Sequence, residues 1–169
     1  MPEADIDRLY DYTPEFLADI LRSVKTIAMV GASGDRTKFS YGVLRVLHET
    51  GYEMLPVNPN PRLTEIRGIR VYRSLEEIDR SVDMVEVFRP KEEFYSFAEQ
   101  AIAIGAKVLW GQIGVYDDRA AKLAEDAGLK VVMDRCPKIE YGRFSGEMGW
   151  LGYNTGVISS RAARLGAKP

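Results

Sequence analysis

Short apolar runs alternate along this chain with stretches in which apolar residues recur every three or four positions. The runs are bounded by Gly, Pro and Asn and predict strands over 26–30, 52–57, 68–72, 82–88, 107–110 and 129–133. Their near-continuous apolar character is that of strands covered on both faces. Between them, Val43, Leu44 and Leu47 share one face of a predicted helix over 40–49, closed by Gly51. Phe94, Phe97, Ala98, Ala101 and Ile102 form a second such face before Gly105, and 118–127 reads as a helix stopped by Gly128. The Phe94/Phe97 stripe is expected to be core, and a small helical turn is expected at 75–78. Ahead of the first strand, Thr13-Pro14 reads as an N-cap followed by proline at the first helical position. Phe16, Leu17, Ile20 and Leu21 continue that helix, with Tyr10 and Tyr12 as its anchors. Alternating strands and helices of these lengths predict an α/β fold, one doubly wound and mostly parallel sheet with helices on both faces.

Past Glu140 the periodicity fades. Gly142, Gly146, Gly149, Gly152 and Gly156 punctuate the segment, which predicts an extended tail packed on a neighbouring surface or a partner subunit through Trp150, Leu151 and Tyr153. The expected organisation is an amino-terminal helical extension (1–24), a sheet domain (25–141) and a glycine-punctuated tail (142–169).

A chain of 169 residues, 46% apolar and 28% charged, is most simply a single core that needs neither disulfide nor metal to fold. A net charge of −2 and a pI near 5.6 argue against nucleic acid or an anionic membrane as the main partner. The single Cys136 precludes an internal disulfide and suits a reducing cytoplasm. With no signal-peptide core and no long apolar run, a cytoplasmic location is expected. One His and one Cys argue against a His/Cys metal site.

The chemistry concentrates in Thr26-Ile-Ala-Met-Val-Gly-Ala-Ser-Gly34 and the helix that follows from Ser40. A buried strand, a small-residue loop and a helix start place backbone N–H groups and a positive helix end at the carboxyl edge of the sheet, which is an anion site built from backbone. Gly31-Ala-Ser-Gly34 is neither the spaced G-x-G-x-x-G fingerprint nor a Walker loop. At the end of the second strand, where an NAD fold usually carries Asp or Glu for the ribose diol, this chain has Val57-Asn58-Pro59. That makes an NAD(P)-binding redox sensor or oxidoreductase the alternative reading. Arg36 and Lys38 stand where they could face an additional ribose phosphate.

Eight motifs in order carry a resemblance. They are Ile27-Ala-Met-Val-Gly-Ala-Ser33, Lys38-Phe-Ser-Tyr-Gly-Val43, Pro56-Val-Asn-Pro59 and Gly68-x-x-Val-Tyr-x-Ser-Leu75, then Val87-Phe-Arg89, Ala103-Ile-Gly-Ala-Lys-Val108, Trp110-Gly-Gln112 and Met133-Asp-Arg-Cys136. Over roughly 24–141 the chain resembles the small CoA-binding domain proteins, which are similar to the amino-terminal domain of the succinyl-CoA synthetase alpha subunit. The resemblance implies a Rossmann-like fold and a site for coenzyme A or an acyl-CoA. It implies that Gly31, Ala32 and Ser33 wrap the pyrophosphate through backbone N–H groups, and that Ser40 and Tyr41 open a helix toward the same phosphates. Lys38 meets a phosphate, Val57, Asn58 and Pro59 border the adenosine, Phe88 and Arg89 line the groove, and Gln112 lies near the pantetheine arm. Where the family often has Pro before the Ser-Tyr pair, this chain has Phe39. The expected partner is small-molecule CoA or acyl-CoA, with a homo-oligomer or a ligase subunit as the protein partners the resemblance allows.

The remaining reactive groups read as structural. His48 follows core-facing Leu47 and is expected at the surface, Cys136 as a buried thiol, and Asp134-Arg135 as an internal ion pair or cap. A mixed disulfide between Cys136 and CoA is the sharper alternative for that thiol. No Ser/His/Asp, Cys/His or paired-carboxylate spacing suggests catalysis, and the expected role is binding alone.

Overall fold

The computed structural model describes residues 12–149, and the backbone alone of 146–149. In chain order the elements are α1 (Pro14–Ser23), β1 (Thr26–Val30), α2 (Phe39–Thr50) and β2 (Glu53–Val57). A small hairpin of β3 (Glu65–Ile66) and β4 (Ile69–Arg70) follows, then β5 (Met84–Val87), α3 (Phe94–Ala103) and β6 (Val108–Gly111). The described chain ends with α4 (Asp118–Asp126), β7 (Lys130–Val132) and α5 (Pro137–Gly149). One-turn 3₁₀ helices occupy Leu75–Glu77 and Lys91–Glu93.

Local chemistry explains most boundaries. Thr13 Oγ1 accepts the Phe16 N–H at 3.1 Å, with Pro14 at the first helical position, as the sequence predicts. Asp117 caps α4 by accepting from Arg119 and Ala120. Gly51 ends α2 at φ 118°, a left-handed cap.

Five strands pair in parallel in the order β2-β1-β5-β6-β7. The chain leaves β1 toward β2, then crosses back to place β5 on the other side of β1. The switch point therefore lies between the carboxyl ends of β1 and β5, where a doubly wound sheet opens its ligand crevice. Pro56, which has no N–H to donate, sits in the edge strand β2.

Each face of the sheet has its own core. On one, Val85, Leu109 and Val131 pack under α3 and α4, whose buried Ala98, Ala101, Ala120, Ala121 and Ala124 let the helices approach closely. On the other, Ile27, Met29 and Trp110 pack under α1, α2 and α5. The indole N–H of Trp110 donates to the Arg135 carbonyl at 2.9 Å, so the largest buried side chain leaves no polar atom unpaired.

Two expectations are corrected. Of the segment predicted as a single strand at 68–72, only Ile69–Arg70 is strand, and it pairs antiparallel with Glu65–Ile66 across a turn at Arg67 and Gly68, both at positive φ. Tyr72 alone returns to the main sheet, bridging Val57. Where an extended tail was expected from 142, the backbone stays helical through Gly149. The buried Glu140, lining a small hollow with Leu17 and Ala18 of α1, and Tyr141, packed edge-on against Tyr52, hold α5 in the fold despite its glycines. Trp150, Leu151, Tyr153 and Tyr10 lie outside the described residues.

Candidate functional site

A cleft of about 690 Å³ opens at the switch point. Its floor is Val30 and the loop Gly31-Ala32-Ser33, and one wall is the start of α2 with Lys38, Phe39 and Ser40. Val57, Asn58 and Pro59 at the end of β2 and Phe88 and Arg89 after β5 complete the residues that the sequence placed here. Distant parts of the chain converge because each lies just past the carboxyl end of a parallel strand.

Gly31 is required by close approach. Its φ is +86°, and a Cβ there would stand 2.4 Å from the Phe88 carbonyl oxygen. Its N–H and that of Ala32 both donate to the Val57 carbonyl, at 3.2 and 3.3 Å. These two donors, which the resemblance assigned to the pyrophosphate, tie β1 to β2. Among the described residues no acceptor takes the N–H of Ser33, Phe39 or Ser40. The donors available to an anion are therefore Ser33 and the first turn of α2, where the helix dipole adds its positive end. Lys38, exposed at the N-cap position, brings a full charge to the same point.

The loop between them is held by its own side chains. Ser33 Oγ accepts from the Asp35 N–H at 3.0 Å, and Asp35 Oδ1 accepts from the Thr37 N–H and hydroxyl at 2.9 and 2.7 Å. The hydrogen bonds from Thr37 hold the Asp35 carboxyl below its usual range. Asn58 performs the same service across the cleft, donating to the Ala32 carbonyl at 2.8 Å and accepting from the Asn60 N–H at 2.8 Å.

Tyr41 and Gln112 are not in the cleft. Successive helix positions face different ways, so with Ser40 turned inward Tyr41 points to the hairpin, where it lines a smaller hollow with Gly34, Arg36 and Arg67. Its hydroxyl accepts from Arg67 at 3.5 Å, and that bond lowers its pKa. Gln112 shares the sheet face of Trp110 by strand alternation and is buried beneath α5, beside the Cys136 thiol. Glu86 is close by, fully buried on β5 between Met29 and Trp110, and burial pushes its carboxyl up to about 8. Burial, above all, also pushes the Cys136 thiol up to about 11.

The sequence reading missed the outer wall. Arg73, Ser74 and Leu75 line the cleft, as do Glu93 just before α3 and Phe97 and Gln100 from α3. Phe97 is thus half-buried at the cleft, while Phe94 is core as expected. Positions 93, 97 and 100 follow helical spacing, a signal present in the sequence, where Phe97 alone of the three was singled out and given to core packing. Arg73 donates to the carbonyls of Asn60, Pro61 and Leu63, each at 2.9 Å, and so clasps the loop after β2. Arg89 pairs with Glu93 at 2.9 Å at the cleft mouth.

Elsewhere, His48 is exposed. Asp134 accepts from the Gly114 N–H at 2.8 Å, whereas Arg135 lies 3.8 Å from the buried Glu140, so these neighbours have separate partners. Tyr12 anchors α1 by accepting the Met133 N–H at 2.9 Å. The described residues hold no His/Cys/Asp/Glu group able to take a metal and no helix long and apolar enough to cross a membrane.

The sheet order and the crevice at its switch point define an α/β protein of the Rossmann-like class. Residues 25–142 match the family model described as the CoA binding domain, and the chain belongs to that family. It is 35% identical over 125 residues to YneT of Bacillus subtilis, a match spanning 74% of this chain and 91% of YneT. A structurally characterised protein of Pyrococcus horikoshii OT3 superimposes with a TM-score of 0.76 at 37% identity, covering 86% of this chain and all of that one. The alpha subunit of acetate–CoA ligase [ADP-forming] I from Pyrococcus furiosus is 34% identical over 95 residues, which are 54% of this chain and only 21% of the ligase subunit.

Proposed function

We propose that the cleft binds coenzyme A or an acyl-CoA reversibly, without catalysis of its own. Membership of the CoA binding domain family supports CoA binding in general. The observation that carries the finer reading is the set of unengaged N–H groups at Ser33, Phe39 and Ser40 beside Lys38, all lining the one cleft at the switch point. These donors and the Lys38 ammonium take the diphosphate. Val57, Asn58 and Pro59 border the adenosine, and Gly31 and Ala32 hold the loop in place beneath it. Asn58, engaged with the Ala32 carbonyl, offers no carboxylate to a ribose diol, which disfavours NAD. The thiol of Cys136 is buried and poorly ionised, and the exposed His48 stands outside the cleft, so neither supplies a nucleophile or base there.

The test is a thermal-shift series with CoA, dephospho-CoA, acetyl-CoA, NAD and NADP. Ligand at a hundredfold over its dissociation constant adds ~2.7 kcal/mol, which raises the melting point of a chain this long by roughly 5–10 °C. A shift with CoA and not NAD supports the reading, and a shift with NAD or NADP alone refutes it. The likeness to an acetate–CoA ligase alpha subunit favours a further role as the CoA-holding partner of a separate ATP-binding ligase subunit. Co-purification with such a subunit tests that role.

A further inference from the structure

The cleft wall contributed by α3 is graded along its length. At its upper end Arg89 and Glu93 pair beside the β1 loop, the Arg89 Cδ standing 3.1 Å from where a Gly31 Cβ would be. Gln100 lies seven residues below Glu93, about 10 Å along the axis at ~1.5 Å per residue. Phe97 sits between them with its ring half-buried, and α3 packs on the turn that carries the fully buried Leu75. The cleft thus runs from an anion-ready loop to an apolar slot with a side-chain amide at its far edge. That is the arrangement that holds a base, flat in the slot and read at its edge, at a distance from its phosphates.

At the far end Gln100 has hydrogen-bonding capacity to spare. Arg73 is committed to three carbonyls. Gln100 Nε2 donates only to Ser96 Oγ at 3.2 Å, an exposed bond within one helix turn, and its carbonyl oxygen has no partner among the described residues. An amide offers one acceptor and a donor side by side, which pairs bidentately with the N6 amino group and N7 of adenine.

We propose that Gln100 is the base-reading residue of the cleft, selecting an adenine nucleotide through the N6/N7 edge while Phe97 and Leu75 enclose the ring. This rests on the CoA reading given above and goes beyond it in assigning the base specificity. Hypoxanthine presents two acceptors on that edge, of which one amide satisfies only one.

Calorimetric titration of CoA and its 6-deaminated, hypoxanthine-containing analogue tests the assignment. The wild-type chain is expected to bind CoA about tenfold more tightly than the analogue, and Gln100→Met to bind both with the weaker affinity. Lys38→Ala is expected to weaken both ligands alike, separating the phosphate end from the base end. Equal wild-type affinities, or a ratio that Gln100→Met leaves unchanged, overturn the base assignment while CoA binding stands. No binding of CoA by the wild type overturns the functional reading and this inference with it. Gln100 is only partly buried, so matched unfolding curves confirm that the Met variant is folded.

Discussion

Replacing Glu86 with Gln is expected to remove a large pH dependence of stability. The Glu86 carboxyl lies in the middle of the sheet, flanked in register by Met29 and Trp110, and neither of its oxygens has a hydrogen-bond partner among the described residues. Burial moves it from its ordinary 4.5 to about 8. Between those values the folded chain keeps a proton that the unfolded chain releases, so rising pH favours unfolding. Stability is full below about pH 4.5, falls through that window, and levels off once the carboxyl ionises in the folded state as well. The whole loss is roughly 5 kcal/mol, at about 1.36 kcal/mol per tenfold change in proton affinity. Gln keeps the volume and cannot ionise. Urea unfolding of both chains from pH 5 to pH 9 yields the difference curve, in which titrations common to both cancel. The gap should widen in favour of Glu86→Gln as pH rises, equivalent to roughly 10–20 °C in melting temperature. A flat difference curve would show that Glu86 is ionised or solvated in the fold, and the argument from burial would fail.

Gly31→Ala should cost well over the ~1 kcal/mol of a positive-φ substitution, because its Cβ meets the Phe88 carbonyl at 2.4 Å. Gly105→Ala, also at positive φ (+75°) but with nothing within 4 Å, is the control, and equal shifts in urea midpoint would refute the steric account. Trp110→Phe removes the buried indole hydrogen bond to the Arg135 carbonyl and should destabilise by about 0.5–1.5 kcal/mol in the same assay, whereas an unchanged midpoint would mean that this bond contributes nothing to stability.

What was legible in the sequence, and what was not, follows from the range of the interactions involved. Strands buried on both faces announce themselves as apolar runs, and caps such as Thr13-Pro14 and Gly51 are decided within a few residues, so the parallel sheet and its helices could be read directly. The inner half of the cleft was readable for a related reason: a doubly wound sheet sends the residue after each strand to one edge, and Ser33, Asn58 and Arg89 need no further information to be placed there. The outer half was not. Phe97 and Gln100 share the helical period of a core-facing stripe, and only the position of the 73–75 segment, set by the hairpin and by the Arg73 clasp, decides that this stripe faces an opening. The misread role of Gly31 has the same origin. A glycine after a strand says that backbone comes close, but not whether the close neighbour is a ligand or the chain itself. Here the neighbour is the Phe88 carbonyl, and the Gly31 N–H bonds the Val57 carbonyl. Pairing of this kind joins residues far apart in sequence, and it leaves the unengaged donors at Ser33 and the start of α2 instead of at the glycine. The loop's small residues hold β1, β2 and β5 together at the switch point, and the hydrogen-bonding groups that this packing does not use are the ones the cleft presents.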